Sequence, residues 1–359
     1  MTPQEIEHYI QTTPILKAFF TSEALRVEEI GDGNLNFVFR ISDATGMSMI
    51  IKHAPPYLRL LGRDFALPQE RIRVEMHTLS YFKTIAPLSI PTLYSCDEAH
   101  FCMALEDLKE YTLLQQNLSA SLLIYAKLGD FLATLYTHKP QSYPEDYFEN
   151  QTMKTISENY IFRFPHIQNH PALTQVPYFT PSPKNALFKE NIHGLTHRFL
   201  NAKEHLIHGD LHTGSLMISH DELKIIDAEF SFFGPIGFDI GTLLAHILFD
   251  EIYALFVQKP LRYASIITTL FEAFEKTAGI LPQNVLQESI GFCGAELFRR
   301  LVVPAKAKPL EAITSLEDKA KAYAMCEKLS IQLIETFLHV KNLDAFLAIV
   351  ESHLCPKMH

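Results

Sequence analysis

The sequence lacks features that would assign it to several large classes of protein. Its 359 residues include 31 lysines and arginines against 41 aspartates and glutamates, a formal net charge of −10. A general nucleic-acid-binding protein needs a basic surface, so this class is excluded. The cysteines are few and scattered, without a CxxC pair, at Cys96, Cys102, Cys293, Cys326 and Cys355. We therefore expect a reducing compartment and buried thiols, with neither a disulfide framework nor a zinc site.

Long uninterrupted hydrophobic runs are also absent. The most apolar stretch, residues 240–257, contains Asp250 and Glu251, so it predicts a buried core helix and not a membrane span. The first residues carry Glu5 and Glu7 before any apolar run, which does not fit a secretory signal. We therefore expect a cytoplasmic protein with no nucleic acid and no membrane as a partner.

The pattern of residues 1–107 predicts a β-rich lobe. Residues 2–5, Thr-Pro-Gln-Glu, form a capping-box pattern that predicts an opening helix. Apolar residues recur on one helical face over residues 69–82. Short β-prone runs bounded by turn residues cover residues 25–30, 36–41, 47–52, 92–96 and 101–105. These elements predict an α+β lobe in which strands dominate.

Residues 108–359 have a mainly helical pattern. An apolar stripe over residues 122–135 predicts a helix, and two short strand runs cover residues 215–218 and 223–226. Residues 139–190 are rich in proline, asparagine and aromatic residues, and their pattern leaves open whether they form a lid. With 47% hydrophobic residues, the chain is long enough for two lobes, which we place at residues 1–107 and 108–359.

Two carboxylate motifs point to phosphoryl transfer. Residues 208–212 read His-Gly-Asp-Leu-His, and Asp227 follows Asp210 by seventeen positions at the end of an apolar run, with Glu229 two residues later. Phosphoryl transfer needs one carboxylate to orient or deprotonate the attacking hydroxyl and another to hold magnesium on the nucleotide phosphates. Either motif alone could be an ordinary turn or strand-end cap. Together, at this spacing, they predict a catalytic site.

A matching nucleotide-binding half precedes these motifs. Gly31, Gly33 and Asn34 lie in a loop between two predicted strands, where backbone N–H groups can approach a phosphate closely. Lys52 ends an apolar strand, where a kinase places the lysine that contacts the α- and β-phosphates, and Glu75 on the next helix could pair with it. Each residue alone also fits a solvated surface position. Their order before the carboxylate motifs favours an ATP-binding lobe.

A strand that leads into a polar loop lies between the two predicted lobes. Residues 103–108 read Met-Ala-Leu-Glu-Asp-Leu and include Glu106 and Leu108. This segment has the character of a hinge that receives the adenine of ATP through backbone groups. A plain connector between lobes is the alternative, and it is compatible with that role.

Three other features have simpler interpretations. The spacing of His205, His208 and His212 could suit zinc, but nothing indicates that they share a helix face, so a structured loop is favoured. Arg299 and Arg300 would project about 100° apart on a helix, so at least one of them could be solvated. The pair at residues 232–233, two phenylalanines, is favoured as core packing.

The motifs resemble known kinases. The HGDLH motif, followed by an acidic pair in place of DFG, is similar to the aminoglycoside and choline phosphotransferases of the protein-kinase-like superfamily. Longer stretches resemble the methylthioribose kinase family in particular. These stretches, which span most of the chain, are residues 31–40, 52–59, 208–215, 227–241 and 291–300.

The resemblance implies a two-lobed protein-kinase-like fold and a homodimer that uses ATP and Mg²⁺. The substrate it implies is the small molecule 5-methylthioribose, phosphorylated on its anomeric hydroxyl to methylthioribose 1-phosphate in methionine salvage. Asp210 would be the catalytic residue and would also contact the substrate. Asp239 would brace the catalytic loop. The remaining roles implied are ATP binding by Gly31, Gly33, Asn34, Lys52, Glu75, Glu106 and Leu108, metal binding by Asp227, Glu229 and Ser215, and substrate binding by Arg299 and Arg300.

One departure from the family concerns an aromatic residue. The family usually carries a tryptophan in the loop after the lysine strand, whereas this chain has no tryptophan and carries Phe65 nearby. Because that loop is expected near the substrate pocket, Phe65 becomes a candidate substrate-binding residue. The replacement preserves bulk, so it favours a relaxed or shifted pocket over a lost one.

Two alternative functions are a kinase of the same fold with another class of substrate and, from a different class of protein, an inactive nucleotide-binding module. A kinase for aminoglycosides, choline or homoserine would need acidic residues near its acceptor, but residues 291–308 contain two arginines, two lysines and only one acidic residue, Glu296. An inactive nucleotide-binding module would be expected to lose at least one catalytic residue. The sequence retains all four that matter most, Lys52, Asp210, Asp227 and Glu229.

Overall fold

The computed structural model describes residues 1–30, 35–59, 62–117, 119–140 and 143–355. In these ranges the strands are β1 Leu25–Glu29, β2 Phe37–Asp43, β3 Ser48–His53, β4 Leu93–Asp97, β5 Cys102–Glu106, β6 Thr112–Leu113, β7 His205–Ile207, β8 Leu216–Ser219, β9 Glu222–Ile225 and β10 Phe232–Gly234. The helices in the same ranges are α1 Pro3–Thr12, α2 Pro14–Lys17, α3 Glu70–Ile85, α4 Leu122–Thr137, α5 Gln151–Ser157, α6 Ala186–Asn201, α7 Ile236–Phe256, α8 Tyr263–Ala278, α9 Gln283–Val302, α10 Lys308–Glu311, α11 Leu316–Thr336 and α12 Leu343–Leu354.

The N-terminal lobe is a five-stranded antiparallel sheet in the order β1-β2-β3-β5-β4. Helix α1 begins with the predicted capping box, because Glu5 N–H donates to Thr2 Oγ1 and Thr2 N–H donates to Glu5 Oε2. Its apolar side packs with Phe39 and Ile41 in a small core on one face of the sheet. The apolar side of α3 joins the larger core on the other face. Lys52 therefore lies in a strand covered on both faces.

The C-terminal lobe consists mainly of packed helices. Helix α7 is buried along almost its whole length, and it packs against α9, which packs in turn against α11. Helices α4 and α8 approach so closely that a Cβ added at Gly129 would lie 2.2 Å from the Leu270 carbonyl oxygen. Two small sheets, β6-β8-β9 and β7-β10, carry the loops that face the N-terminal lobe. Within the described ranges, no helix is both long and apolar enough to cross a membrane.

The predicted α+β class, with a β-rich first lobe and a mainly helical second lobe, is confirmed. The pairing of β7 with β10 is a correction, because the sequence pattern assigned no strand to either segment. Each of these strands has only three residues, too few for a period of two to be visible. The segment at residues 139–190 contains α5 and a π-helix over Glu158–Arg163. The lobe boundary between residues 107 and 108 stays a prediction.

Candidate active site

A cleft of about 620 Å³ lies between the two lobes, and most of the predicted site residues line it. The predicted residues that the fold brings together here are Lys52, Glu75, Glu106, Leu108, Asp210, Ser215, Asp227, Glu229 and Arg300. Arg299 and Phe65 are not part of this lining. Gly31, Gly33 and Asn34 lie outside the described residues, so their predicted contact with ATP stays a prediction.

Lys52 joins the two lobes through its ammonium group. Antiparallel pairing places it opposite Val38 on β2 and Met103 on β5. Its Nζ donates to Glu75 Oε1 at 2.7 Å and to Asp227 Oδ1 at 2.5 Å. Burial alone would lower the pKa of Lys52, but the neighbouring carboxylates outweigh burial and raise it. The ammonium therefore stays charged in a buried position, where its attraction for phosphate is strong.

The predicted catalytic loop, residues 208–215, is held from two sides by buried side chains. His208 Nε2 lies 2.8 Å from the Ile226 carbonyl oxygen, which joins the loop to the segment between β9 and Asp227. Asp239 accepts from the backbone N–H groups of His208 at 2.6 Å and Gly209 at 2.9 Å. These two bonds confirm the prediction that Asp239 braces the loop.

The glycine of the HGD motif is required by its backbone and its surroundings. Gly209 has φ of 81°, in the left-handed region that side chains other than glycine rarely adopt. A Cβ at this position would lie 2.1 Å from the Phe230 carbonyl oxygen. The close approach of the two loops brings Asp210 and Asp227 to the same cleft.

Asp210 is an ionised carboxylate at the C-lobe wall of the cleft. Burial tends to raise the pKa of Asp210. His212 and, to a smaller extent, Arg300 and Arg299 lower this pKa by more than burial raises it, so the net shift is downward. His212 Nε2 lies 3.5 Å from Asp210 Oδ2. Because Asp210 is charged and lines the cleft, it can accept a hydrogen bond or a proton from a bound hydroxyl.

Asp227 and Glu229 occupy different environments. Asp227 has φ of 63° and a side chain that is 50% exposed, so its carboxylate faces the open cleft. Glu229 is buried, and its Oε2 accepts from Asn36 Nδ2 at 2.9 Å and lies 3.4 Å from Arg71 Nε. Both carboxylates bond to the N-terminal lobe, but that of Asp227 is half exposed to the cleft and that of Glu229 is enclosed.

The carboxylate groups of Asp227 and Glu229 are chemically suited to bind a magnesium ion. Asp227 offers its second oxygen to the cleft, since Lys52 bonds to Oδ1, and carboxylate oxygens are ligands that Mg²⁺ prefers. A magnesium ion is often held by one or two carboxylates together with substrate phosphates. The described residues contain no group of three or more histidine, cysteine or acidic side chains arranged around a metal. Phosphate oxygens would therefore have to complete the coordination.

Ser215 is buried within the catalytic loop. Its Oγ accepts from His212 N–H at 3.0 Å and lies 2.9 Å from the His212 carbonyl oxygen and 3.2 Å from that of Asp210. The hydroxyl thus closes the turn that presents Asp210. Its predicted contact with the metal stays a prediction.

Sequence reasoning missed three polar residues, Asn36, Arg71 and Asn150, that hold the acidic loop at residues 227–229. Arg71 is buried and donates to Asn36 Oδ1 as well as to backbone carbonyls, including those of Leu35 and Pro55. Asn150 Nδ2 donates to the Glu229 carbonyl oxygen at 2.8 Å. Arg71 lies one turn before Glu75 on α3, and this spacing was the available signal that it could lie near the site. Only the fold shows that the carboxylate close to it is that of Glu229.

The hinge segment is fixed to the sheet by side chains. Asp107 forms a bidentate pair with Arg40 of β2, at 2.9 Å and 3.0 Å. Glu106 Oε2 accepts from Thr92 N–H at 2.9 Å. The apolar residues that line this end of the cleft are Ile30, Val38, Ile50, Leu79, Leu105, Leu108, Leu113, Met217 and Ile226. A flat apolar ring would fit this end of the cleft, and the backbone of the hinge lies beside it.

The two arginines at the end of α9 share one carboxylate that the sequence analysis did not assign to the site. Arg299 Nε donates to Glu296 Oε2, and Arg300 Nε donates to Glu296 Oε1 at 2.7 Å. Arg300 lines the cleft, whereas Arg299 is buried behind it. Neither arginine is a freely solvated residue.

Phe65 lies apart from the cleft. Its side chain is 54% exposed, and its backbone pairs with Leu58 and Gly62 in a surface loop. The structure does not place this ring against the other site residues, and its contact with a substrate stays a prediction.

Comparisons with known proteins agree with the site. A model of the phosphotransferase enzyme family matches residues 26–270. A methylthioribose kinase of Pectobacterium atrosepticum is 31% identical over 364 residues, with 89% of this chain and 90% of that protein covered. A methylthioribose kinase of Bacillus cereus is 34% identical over 350 residues, with 88% of each covered. A solved choline/ethanolamine kinase family protein from Mesorhizobium loti shares the fold, with a TM-score of 0.53, 14% identity, and coverage of 98% of this chain and 99% of that chain.

These similarities confirm the resemblance seen in the motifs. The residues matched by the family model include Lys52, Asp210 and Asp227, which meet in the cleft. The two kinases extend the similarity over nearly nine tenths of the chain. The chain therefore belongs to the phosphotransferase enzyme family and, within it, to the methylthioribose kinase family.

Proposed function

We propose that this kinase transfers the γ-phosphoryl group of ATP to the anomeric (C1) hydroxyl of 5-methylthioribose, giving methylthioribose 1-phosphate and ADP in methionine salvage. The observation that carries the proposal is the meeting of Asp210 with the Lys52–Asp227 pair in one cleft. Phosphoryl transfer needs an acceptor-side carboxylate opposite a phosphate-side cation. The chain provides both.

Each residue has a role that follows from its position. Asp210 accepts a hydrogen bond from the C1 hydroxyl and takes its proton as the new oxygen–phosphorus bond forms. Lys52, held by Glu75, contacts the α- and β-phosphates. Asp227, with Glu229, would hold Mg²⁺, which when bound neutralises negative charge on the phosphates. The hinge around Glu106 and Leu108 receives the adenine.

The charge around the acceptor end of the cleft supports a neutral sugar as the substrate. Arg300 contributes positive charge near Asp210, and Lys306 and Lys308 also line the cleft. A cationic aminoglycoside or choline would be repelled by this group, whereas a neutral sugar or an anionic product would not. Relatives that are 31% and 34% identical to the chain are themselves named methylthioribose kinases.

A panel of acceptors tests the proposal. Release of ADP is measured with Mg-ATP and 5-methylthioribose, ribose, choline, homoserine or kanamycin, with Asp210→Asn protein as the background control. We expect 5-methylthioribose to give the highest kcat/KM. Phosphorylation of an aminoglycoside without phosphorylation of methylthioribose would refute the substrate while leaving the kinase fold. The homodimer is proposed from the resemblance and the cytoplasmic location from the composition of the sequence, and light scattering tests the first of them.

A further inference from the structure

The Glu296 carboxylate accepts hydrogen bonds from two arginines that are neighbours in the sequence. Adjacent residues on a helix project about 100° apart. A residue that lies three positions before the first and four before the second is between them on the helix surface, one turn away. Glu296 occupies the position that is i−3 to Arg299 and i−4 to Arg300, and each of its oxygens accepts from one Nε. Arg300 also donates from Nη1 to the Ala305 carbonyl oxygen at 3.3 Å.

The carboxylate is fully enclosed. Glu296 is 1% exposed and Arg299 is 9% exposed. Burial would raise the pKa of Glu296, but Arg299 and Arg300 hold it well below its usual range. A single buried negative charge thus holds two positive charges together, which would otherwise repel each other at this short separation.

A pair of stacked histidines connects Glu296 to the catalytic loop. His246 of α7 has its Nε2 3.4 Å from Glu296 Oε1, and this nitrogen has no hydrogen-bond partner among the described residues. The His246 ring stacks on His212, with ring centroids 4.7 Å apart and planes inclined by 17°. His212 lies 3.5 Å from Asp210. The arginine cluster and the catalytic aspartate are therefore linked by direct side-chain contacts.

We propose that Glu296 is a positioning residue that fixes Arg300 toward the acceptor end of the cleft and in register with Asp210. The inference rests on the proposed function for its kinetic consequences, because Arg300 is the member of the cluster that lines the cleft. Glu296 itself is not part of that lining. It acts on the substrate only through the guanidinium groups that it holds.

Glu296→Gln tests the role with little change in volume. The amide offers one acceptor oxygen, and its NH₂ group would face a guanidinium, so one arginine must be released. We expect the KM for the acceptor to rise about tenfold or more, as for a lost charged hydrogen bond, with the KM for ATP nearly unchanged. Glu296→Asp retains the charge and should restore part of the acceptor affinity. An acceptor KM like that of the parent in folded Glu296→Gln protein would overturn the proposal.

A double-mutant cycle separates positioning from general stability. If Glu296 acts through Arg300, Glu296→Gln should have little further effect on the acceptor KM in an Arg300→Ala background. Additive effects of the two changes would contradict the inference. Glu327→Gln is a matched control, since Glu327 is a buried carboxylate of α11 that pairs with Lys184 at 2.6 Å, outside the cleft. We expect this control to lower the unfolding temperature but to keep the acceptor KM.

A measurement without substrate keeps this inference distinct from the proposed function. The rate of phenylglyoxal addition to each arginine is followed by mass spectrometry in the parent, Glu296→Gln and Glu296→Asp proteins. We expect Arg300 to react several times faster in Glu296→Gln, because its guanidinium is released. Arg198, which pairs with Glu204 and Glu288, serves as the internal reference and should not change. If Arg300 reacts in Glu296→Gln at the same rate as in the parent, the role of Glu296 is refuted, whether or not methylthioribose proves to be the acceptor.

Discussion

Lys52 and Asp227 are 175 residues apart in the sequence, yet Lys52 Nζ lies 2.5 Å from Asp227 Oδ1. The contact joins strand β3 of the N-terminal lobe to the acidic loop of the C-terminal lobe. Since Glu75 accepts from the same nitrogen, the ammonium is shared by two carboxylates. Mg-ATP would enter the cleft beside this pair, so the residues proposed to bind it are already assembled.

Lys52→Ala is expected to lower kcat/KM by orders of magnitude. The lysine is buried, so its removal also leaves Glu75 enclosed without its cation, at a cost of about 3–5 kcal/mol in the free energy of unfolding. Urea unfolding and ADP-release assays measure the two effects. The double variant Lys52→Ala with Glu75→Gln should regain stability without regaining activity. Rates near those of the parent would show that another group contacts the phosphates.

Asp210→Asn should lower kcat by roughly 10²–10⁴, while ATP binding is nearly unchanged. The amide is close in size but can neither accept the proton of the acceptor hydroxyl nor carry the negative charge. Titration calorimetry with a non-hydrolysable ATP analogue and Mg²⁺ measures binding separately from turnover. A loss of ATP affinity as large as the loss of rate would show that Asp210 serves the nucleotide.

Asp227→Ala should abolish the magnesium dependence of ATP affinity, and Glu229→Ala should weaken it less completely. Asp227 is the accessible carboxylate, whereas Glu229 is already bonded to Asn36 and close to Arg71. Titration of ATP at several Mg²⁺ concentrations measures the effect. Asp221→Ala, at an exposed turn, is the charge-matched control and should behave like the parent. A parental response to magnesium in Asp227→Ala would exclude this metal site.

The two arginines should respond differently to alanine. Arg300→Ala should lower kcat/KM for the acceptor by roughly 1–3 kcal/mol equivalent, as for a lost hydrogen bond to a charged group. Arg299→Ala should act mainly on stability, because Arg299 is buried and lies outside the lining of the cleft. Steady-state kinetics and thermal unfolding of both variants distinguish the roles. The opposite assignment would follow if only Arg299→Ala changed the acceptor KM.

His208 predicts a pH-dependent contribution to stability. Burial lowers its pKa to about 4, below the value near 6.5 in an unfolded chain. The unfolded state therefore binds more protons between these values, and stability falls as the pH decreases from about 6.5 toward 4. The loss between pH 8 and pH 5 should be about 2 kcal/mol.

His208→Gln isolates this contribution from those of other buried histidines. The glutamine can still donate to the Ile226 carbonyl oxygen but does not titrate. Urea unfolding at pH 8 and pH 5 should show a smaller difference for the variant than for the parent, by about 2 kcal/mol. An unchanged difference would show that His208 is not buried in its neutral form.

The sequence by itself determined the main elements of the N-terminal lobe, the helical character of the C-terminal lobe and the identity of the chemistry. The strand that contains Lys52, the helix that carries Glu75 and the loop that presents Asp210 follow from apolar periodicity and glycine positions, which are local properties. Asp239 was also assigned correctly as a brace of the catalytic loop. These patterns sufficed for the α+β class and for the family.

Only the tertiary structure decided which side chains meet. Arg71 reaches Asn36 and Glu229 because α3 packs beneath the sheet, and no spacing along the chain specifies that contact. Glu296 lies within one turn of both arginines, yet its burial beside His246 depends on the packing of α7 against α9. Side-chain partners across 50 or more residues depend on how the helices and the sheet pack to exclude water from a shared core. Periodicity indicates which face of an element is buried, but not which face of another element covers it.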